Sequence, residues 1–387
     1  MEIIRLNPSY IDDLIELWSQ SFAFPYEQVS TWVNEKSIRN CIGAIENNKL
    51  VSALSIIPME GYVRGELFSF SGIGGVATLP EKRGKNYVHY LLREAIRISK
   101  ENSSTFSSLY PFSFEFYRTF GWELGGFQKR YRRKTYSIPK FPEMEKVKRI
   151  PLEDWKLIKP VYDKFSKNFS GSIKRTDERW ESLIFRTRTL TYLYIYEDKE
   201  IEGYLLYSVE KTNINRIVVR EMITLNTSAY KGFLSLFSRQ AMTIEEVEWT
   251  APLDDPLPFI LPNPRGECFI EPTFMIRVID VERALSSLKY DENINIKIAL
   301  KIKDEHGEWN DGIWNLEIEN GKGNLEKKDG LEYDIAININ TLSQIIIGTI
   351  SPKTAYNLGY IEVNNFNALN DFNKLFSEHP TFCWDYF

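Results

Sequence analysis

The amino-acid sequence predicts a mixed α/β protein of two or three domains, and three observations support this fold class. The chain has 387 residues, which is more than one hydrophobic core usually organises. A β-branched strand pattern followed by a helix pattern occurs twice, at residues 72–100 and 217–241. Strict alternation of apolar residues over 294–302 predicts the clearest strand of the chain.

The first domain is predicted over residues 1–140. Its hydrophobic periodicity predicts strands at 3–6, 41–45, 50–58, 62–70, 72–79 and 105–110. Apolar residues at helical spacing predict helices at 11–18, 88–96 and 113–120. The segment 131–145 is basic and then contains prolines, which is typical of a linker.

The second domain is predicted over residues 141–290 and the third over residues 291–387. In the second domain the patterns predict strands at 190–196, 202–209 and 217–225 and helices at 150–166 and 231–241. The segment 274–285 predicts a strand and the beginning of a helix. In the third domain they predict strands at 294–302, 312–319 and 333–339 and helices at 341–347 and 368–376.

Composition and charge narrow the class of protein. A hydrophobic content of 43% with 26% charged residues is typical of a soluble globular protein. The net charge of −5 argues against nucleic acid as a partner and favours cationic ones. No apolar run is long enough to span a membrane, and the first residues do not show the pattern of a signal peptide. We therefore expect neither a membrane nor a nucleic-acid partner.

The few cysteines and histidines limit the chemistry further. The three cysteines, Cys41, Cys268 and Cys383, lie far apart, which favours a reducing, cytoplasmic location. Cysteine and histidine do not cluster at metal-ligand spacing, so no metal is expected. With only three histidines in the chain, a histidine-based mechanism is not expected either.

The loop between the strand 72–79 and the following helix is the first candidate site. It carries Lys82, Arg83, Gly84, Lys85 and Asn86. A flexible loop at a helix N-terminus offers free N–H groups and the positive end of the helix dipole, which suits a pyrophosphate. The spacing is neither that of a P-loop nor that of a dinucleotide fingerprint. The alternative is an ordinary solvated turn, and the segment alone does not separate the two.

Tyr117 is the second candidate. It lies one short helix after a predicted strand and shortly before Gly121. A tyrosine hydroxyl, with a pKa of about 10, can protonate a thiolate leaving group. The alternative is that Tyr117 is one more core aromatic in a phenylalanine-rich helix.

The third candidate is the end of the chain, residues 380–387, with the sequence PTFCWDYF. Chain ends usually fray, but aromatic residues at this density favour burial. A buried end would hold the α-carboxylate of Phe387 in a fixed place, where it is ionised at neutral pH and can accept a proton. The alternative is that this segment only closes a hydrophobic seam.

The loop resembles motif A of the GNAT acetyltransferases, which reads strand, V-x-x-x-P, R-x-x-G-x-G/A and helix. Arg83 matches the arginine, whereas Asn86 and Val88 stand at two glycine or small-residue positions. In that family the loop amides hold the pyrophosphate of acetyl-coenzyme A. Because asparagine tolerates left-handed backbone better than most residues, we expect the loop conformation to be retained.

Over nearly its whole length the chain also resembles the Eis (enhanced intracellular survival) family of acetyltransferases. Tyr117 in EFYRTFGW matches the general-acid tyrosine of that family. The aromatic chain end at Phe387 matches its catalytic terminal carboxylate. The segments DPLP at 255–258 and FMIRVIDVERAL at 274–285 resemble those that follow the second domain and enter the third.

The resemblance implies tandem GNAT domains followed by a sterol-carrier-protein-like α/β domain, assembled as a homohexamer, with acetyl-coenzyme A bound in the first domain only. It implies transfer of acetyl to small amines, with aminoglycosides among the candidates, by direct attack. Phe387 would accept the proton of the ammonium and Tyr117 would protonate the departing thiolate. The residues expected to bind acetyl-coenzyme A are Val76, Ala77, Thr78, Arg83, Gly84, Lys85, Asn86, Tyr87, Val88, His89, Phe112 and Ser113.

Two other functions stay open at this point. One is a non-catalytic binding protein, in which the sterol-carrier-like domain holds an apolar ligand and the GNAT units are scaffold. The other is an aminoacyl or lipid-amine transferase with a larger acyl donor, which would be expected to carry a basic groove for tRNA. The net charge of −5 gives that last function no support.

Overall fold

The computed structural model describes residues 1–186, 189–328, 330 and 332–387. Within them the strands are β1 (Glu2–Arg5), β2 (Cys41–Glu46), β3 (Lys49–Val63), β4 (Glu66–Thr78), β5 (Phe106–Leu109), β6 (Glu123–Leu124), β7 (Phe127–Lys134), β8 (Val147–Ile150), β9 (Ile173–Lys174), β10 (Thr191–Glu197), β11 (Ile201–Lys211), β12 (Asn215–Thr224), β13 (Glu246–Ala251), β14 (Glu267–Pro272), β15 (Met275–Val278), β16 (Ile296–Lys303), β17 (Gly312–Glu319), β18 (Lys322–Lys327), β19 (Ile335–Asn338) and β20 (Ile361–Val363).

The α-helices in the same residues are α1 (Ile11–Phe22), α2 (Tyr26–Val29), α3 (Tyr87–Glu101), α4 (Phe114–Arg118), α5 (Lys159–Ser166), α6 (Asp177–Phe185), α7 (Thr227–Arg239), α8 (Leu257–Ile260), α9 (Val281–Ser286), α10 (Ile339–Ile347), α11 (Pro352–Asn357) and α12 (Phe366–Leu375). None of the helices in the described part of the chain combines the length and the apolar character that a membrane span requires.

The first sheet has the strand order β1-β2-β3-β4-β5-β15-β6, with β9 paired to β3. Its strands pair antiparallel except β4 and β5, which are parallel and are connected through α3. Helix α3 buries Leu91, Leu92, Ala95 and Ile96, the helical face that the spacing predicts. This domain is therefore built around a parallel strand–helix–strand unit in a mostly antiparallel sheet.

The second sheet repeats that unit. Its order is β14-β7-β13-β12-β11-β10-β8, and β12 and β13 are its parallel pair, connected through α7. The third sheet, β18-β17-β16-β19-β20, packs against α10 and α12. Strand β16 alternates between buried and exposed side chains over most of its length, as its apolar pattern predicts. The predicted mixed α/β fold class is thus confirmed.

Two of the predicted elements are wrong in detail. The predicted strand 62–70 is split between β3 and β4, because Arg64 and Gly65 both adopt positive φ angles, 51° and 82°, and reverse the chain. The predicted linker 131–145 begins inside β7, where Tyr131 is fully buried. The basic residues of β7 are not those of a solvated linker, since Arg132, inside the predicted linker, pairs with Glu248 across the sheet.

The sheets do not coincide with the domains that were predicted as continuous stretches of the chain. Strand β7 lies before residue 140 but belongs to the second sheet, and β15 lies before residue 290 but is inserted in the first sheet between β5 and β6. The boundaries of the domains at residues 140 and 290 stay a proposal.

A buried ion pair joins the first sheet to the third domain. Arg277 on β15 is completely buried, and its Nη2 donates to both oxygens of Asp304 at 2.7 and 2.8 Å. Its Nη1 donates to the Phe120 carbonyl at 2.8 Å. Asp304 directly follows β16 and is buried as well. The pair therefore ties the two sheets together without access to water.

We predict that Asp304→Ala destabilises the protein by about 3–5 kcal/mol, because it leaves the Arg277 guanidinium buried without a counter-charge. The free energy of unfolding in denaturant measures this. Asp371→Ala is the matched control, since Asp371 pairs with Lys374 at the helix surface, where an ion pair contributes about 1 kcal/mol or less. Equal losses in the two variants would contradict the prediction.

Candidate active site

The parallel strands β4 and β5 separate where the candidate site lies. They pair from Phe70 opposite Phe106 to Ile73 opposite Leu109, and β5 then ends. Strand β4 continues to Thr78 with β3 on its other side. In the described residues, no strand pairs with the edge of β4 at residues 74–78 on the side that β5 leaves. We call this opening, formed by residues 73–78 and 109–113, the β4–β5 fork.

A bulge shapes the β4 side of the fork. The register of β4 against β3 shifts between Ala53 and Ser55, and Gly75 adopts φ = +59°. The indole of Trp18, from α1, lies on Gly75 so closely that a Cβ there would be 2.4 Å from the ring. The indole Nε1 donates to the Gly75 carbonyl at 2.7 Å. Such bulges commonly redirect a strand at an active site, and here only glycine fits below the indole.

The loop between β4 and α3 has the conformation expected of an anion site. Asn86 adopts the left-handed conformation, with φ = 61° and ψ = 19°, at the N-terminus of α3. Gly84 has φ = +77° and open space around it. Within the described part of the chain, the backbone N–H groups of Tyr87, Val88 and His89 have no intramolecular acceptor. Asparagine at the glycine position of the motif therefore adopts the left-handed conformation that this residue type tolerates.

A carboxylate lies beside the cations of this loop. Glu46, at the end of β2, is paired with Lys82, accepts from the Tyr87 hydroxyl at 2.8 Å and lies 3.7 Å from Lys85. The hydrogen bonds from Lys82 and Tyr87 lower the pKa of Glu46 to about 2. The two lysines are thus partly neutralised. Arg83 is paired with no carboxylate in the described residues and donates only to the Thr78 carbonyl, at 3.4 Å.

Tyr117 lies on the other side of the fork, on α4. Ser113 begins this helix, and its Oγ accepts from the Phe116 N–H at 3.3 Å. The ring of Tyr117 is buried and makes an edge contact with the ring of Phe112, which is itself exposed. Tyr117 packs in the same core cluster as Ile73 and Leu109, the last paired residues of the fork. Burial raises the pKa of Tyr117, so its hydroxyl keeps its proton at neutral pH.

The chain end reaches the β4 side of the same fork. A Cβ built on Gly74 would lie 3.3 Å from the carboxyl carbon of Phe387 and 3.4 Å from its oxygen. A Cβ on Gly72 would lie 2.9 Å from the Phe387 ring. Tyr110, which follows β5, stacks on Tyr386 with ring centroids 3.7 Å apart. Gly72 and Gly74 of β4 therefore leave the room that the terminal residue occupies.

Residues 380–387, which we call the C-terminal tail, are held by the second domain. Thr381 forms a parallel β-bridge with Ser170. The hydroxyl of Ser172 donates to the Phe382 carbonyl at 2.8 Å. From the first domain, the Tyr110 hydroxyl donates to the Cys383 carbonyl at 3.2 Å. The tail is thus fixed by specific hydrogen bonds and is not a frayed end.

A buried ionic network anchors the tail two residues before its end. The Nε of Arg175 donates to Asp385 at 2.9 Å, and its two terminal nitrogens donate to Glu221 of β12 at 2.9 and 2.5 Å. The Tyr162 hydroxyl also donates to Asp385, at 2.9 Å. Arg175, Glu221 and Asp385 are all buried. One guanidinium therefore links the second sheet to the tail.

Arg179 completes this anchor. It donates to Asp385 from Nε at 3.0 Å and to the Tyr386 carbonyl from Nη2. Burial alone would raise the pKa of the Asp385 carboxyl, but Arg175 and Arg179 together hold it below its usual value. Asp385 therefore stays ionised inside the protein, as a structural anion that is already paired and is not exposed to attract a substrate.

The sequence did not point to several residues of the site. Trp18 was assigned only to the apolar face of α1, and Arg175 and Arg179 carry no motif. Their roles depend on partners that lie 57, 210 and 206 positions away in the chain. The one available signal was a charged residue, Asp385, inside an otherwise aromatic tail, since a charge in such surroundings needs a buried partner.

Comparisons with known proteins agree with this architecture. Residues 2–125 and residues 171–278 each match an acetyltransferase (GNAT) domain family, and residues 281–384 match a sterol carrier protein domain family. An uncharacterized N-acetyltransferase of Streptomyces griseus is 22% identical over 364 residues, which cover 86% of each chain.

Solved structures share the whole fold. The GCN5-related N-acetyltransferase from Anabaena variabilis superimposes with a TM-score of 0.92 at 22% identity, with 100% of each chain covered. Eis1 from Mycobacterium abscessus superimposes with a TM-score of 0.82 at 16% identity, again with 100% of each chain covered. The two GNAT domains and the sterol carrier protein domain therefore form an Eis-like architecture.

We predict that Asp385→Asn loosens the tail, because it leaves the buried Arg175 with one carboxylate where two are needed. Release of the terminal phenylalanine by a carboxypeptidase should become at least about tenfold faster, since about 1.4 kcal/mol of lost anchoring is enough for that. The substitution Asp371→Asn, at a half-buried carboxylate near the surface of α12, serves as the control. Equal release rates in the two variants would show that the network does not hold the tail.

Proposed function

Because the chain is a GNAT N-acetyltransferase with two GNAT domains and a sterol carrier protein domain in the Eis arrangement, we propose that it transfers the acetyl group of acetyl-coenzyme A to a small amine at the β4–β5 fork. The observation that carries this proposal is the place of the Phe387 carboxyl beside Gly74. A terminal carboxylate held at the opening of the fork is a proton acceptor in a fixed position.

The chain offers the groups that a coenzyme A thioester needs. The unpaired edge of β4 at Val76, Ala77 and Thr78 presents backbone donors and acceptors to the pantetheine arm. The free N–H groups at the start of α3, from Gly84 to His89, and the Arg83 guanidinium suit the pyrophosphate. Phe112 and Ser113, which follow β5, would border the thioester end. The partial neutralisation of Lys82 and Lys85 by Glu46 makes the backbone amides and Arg83 the main phosphate ligands.

The reaction needs two proton transfers, and we assign one residue to each of them. The amine nitrogen attacks the thioester carbonyl carbon, and its proton goes to the Phe387 carboxylate, directly or through water. The carbon–sulfur bond breaks, and Tyr117 protonates the departing thiolate. Its raised pKa keeps Tyr117 in the protonated form that an acid requires. Because the attack is direct, no covalent intermediate on the protein is involved.

The same proposal extends to the acetyl acceptor, to the oligomeric state of the protein and to its cellular location. The net charge of −5 suits a cationic acceptor, and aminoglycosides are the class that we would test beside polyamines and lysine. A homohexamer and a cytoplasmic location follow from the resemblance to the Eis family and from the cysteine content. The second GNAT domain is proposed to bind no acetyl-coenzyme A.

We predict that two residues added after Phe387 abolish turnover, because they move the carboxylate away from Gly74. Acetyl-coenzyme A binding, measured by calorimetry, should be unchanged. The control carries the same two residues before Met1, which is exposed. Full activity in the protein with the C-terminal extension would exclude the terminal carboxylate as the base.

We predict that Tyr117→Phe lowers kcat by at least about tenfold, a modest share of typical acid catalysis, with little change in stability, because the hydroxyl makes no hydrogen bond in the described residues. Steady-state kinetics with a released-thiol assay measures this. Tyr136→Phe, at an exposed tyrosine, is the control for loss of a phenol. If the Tyr117 variant keeps its kcat, another group protonates the thiolate.

A further inference from the structure

The second GNAT domain has an opening of its own at the matching place in its fold. Strands β12 and β13 pair only from Arg216 to Val218 opposite 246–248, and both strands continue beyond that stretch. A cavity of about 230 Å³ lies past the paired residues. We call this opening the β12–β13 fork; its lining residues are Phe165, Phe169, Met222, Thr224, Leu225, Asn226, Thr227, Tyr230, Thr250, Ala251, Pro252, Asp254, Asp255 and Pro256.

The chemistry of this fork differs from that of the first. Its lining residues include Asp254 and Asp255 and neither lysine nor arginine. At the start of α7, the side chain of Asn226 accepts from the Ala229 N–H at 2.9 Å, so the helix caps itself. No basic glycine loop precedes this helix. An anionic cofactor would therefore meet negative charge at the place where the first domain offers cations.

Asp255 is a buried carboxylate that lines this cavity. The residue is only 6% exposed. Its Oδ1 accepts from the Tyr230 hydroxyl at 3.1 Å and from the Leu257 N–H at 3.0 Å. The buried hydroxyl of Tyr131 also lies beside this carboxyl. Because burial raises the pKa of this carboxyl, a cation in the cavity would stabilise the ionised form.

Aromatic rings also line the cavity. Phe165 and Phe169 lie with ring centroids 4.7 Å apart, and both line the cavity. Phe169 also contacts Phe382 of the C-terminal tail, at 5.9 Å between centroids. A cavity lined by both carboxylates and aromatic rings suits an organic cation, whose charge interacts with both.

We propose that the β12–β13 fork binds a small organic cation, an ammonium group carried on an apolar body, at a site separate from the acetyl-transfer site. The carboxylates of Asp254 and Asp255 neutralise the ammonium, and the rings of Phe165 and Phe169 cover its apolar part. The ligand is not acetylated there, because the acetyl donor lies in the other GNAT domain. This site stands whether or not the proposed base and acid of the first domain are correct.

Two methionines report on the two sites separately. Met222 lines the β12–β13 fork, whereas the Met59 side chain lies beside Phe387 over Gly72. The full chain labelled with ¹³C-methyl methionine is titrated with benzyltrimethylammonium, a cation that cannot be acetylated, and with neutral benzyl alcohol. The Met222 and Met59 signals are assigned with Met222→Leu and Met59→Leu.

The cation should shift the Met222 signal saturably, and benzyl alcohol should not. Asp254→Asn and Asp255→Asn should each weaken the binding by roughly tenfold, because each removes one negative charge from beside the ammonium. Asparagine at 255 can still accept from Tyr230 and Leu257. Glu210→Gln, at an exposed carboxylate on β11, should change nothing. An unmoved Met222 signal, a shift of Met59 alone, or full affinity in both asparagine variants would overturn the proposal.

Discussion

The candidate site depends on the buried ion pairs that the Arg175 guanidinium forms. It is bound at once to Glu221 in the second sheet and to Asp385 in the C-terminal tail. A charge without access to water needs its counter-charges in place, and the loss of one partner leaves it uncompensated. Releasing the tail from the second domain therefore costs the free energy of separating Asp385 from the buried Arg175. As a result, the α-carboxylate two residues beyond Asp385 is held at one position.

The glycines of β4 provide the space in which the anchored tail ends. Gly72 and Gly74 leave the space that the ring and the carboxyl group of Phe387 fill, and Gly75 accepts the indole of Trp18. A Cβ at Gly75 would collide with the indole of Trp18 and one at Gly72 with the Phe387 ring, whereas one at Gly74 would lie tightly against the Phe387 carboxyl. The first domain thus supplies the fork, and the second domain and the chain end supply the group that faces it.

The two forks combine one backbone arrangement with side chains of opposite charge. Each consists of a parallel strand pair connected by a helix, with an opening where the pairing ends. At the first, the helix N-terminus is uncapped and cations precede it; at the second, Asn226 caps the helix and Asp254 and Asp255 line the opening. The fold fixes the opening, and the charges of a few side chains select what can enter it.

The sequence by itself determined the elements whose signal is local. The helix face of α3, the alternation of β16 and the left-handed Asn86 follow from spacing and from the conformational preference of one residue. The tertiary structure alone decided the insertion of β15 in the first sheet and the pairing of Arg175 with Asp385. It also decided the contact of Phe387 with Gly74. These features join residues that are distant in the chain, and hydrophobic periodicity carries no information about which distant partner a strand or a charge will meet.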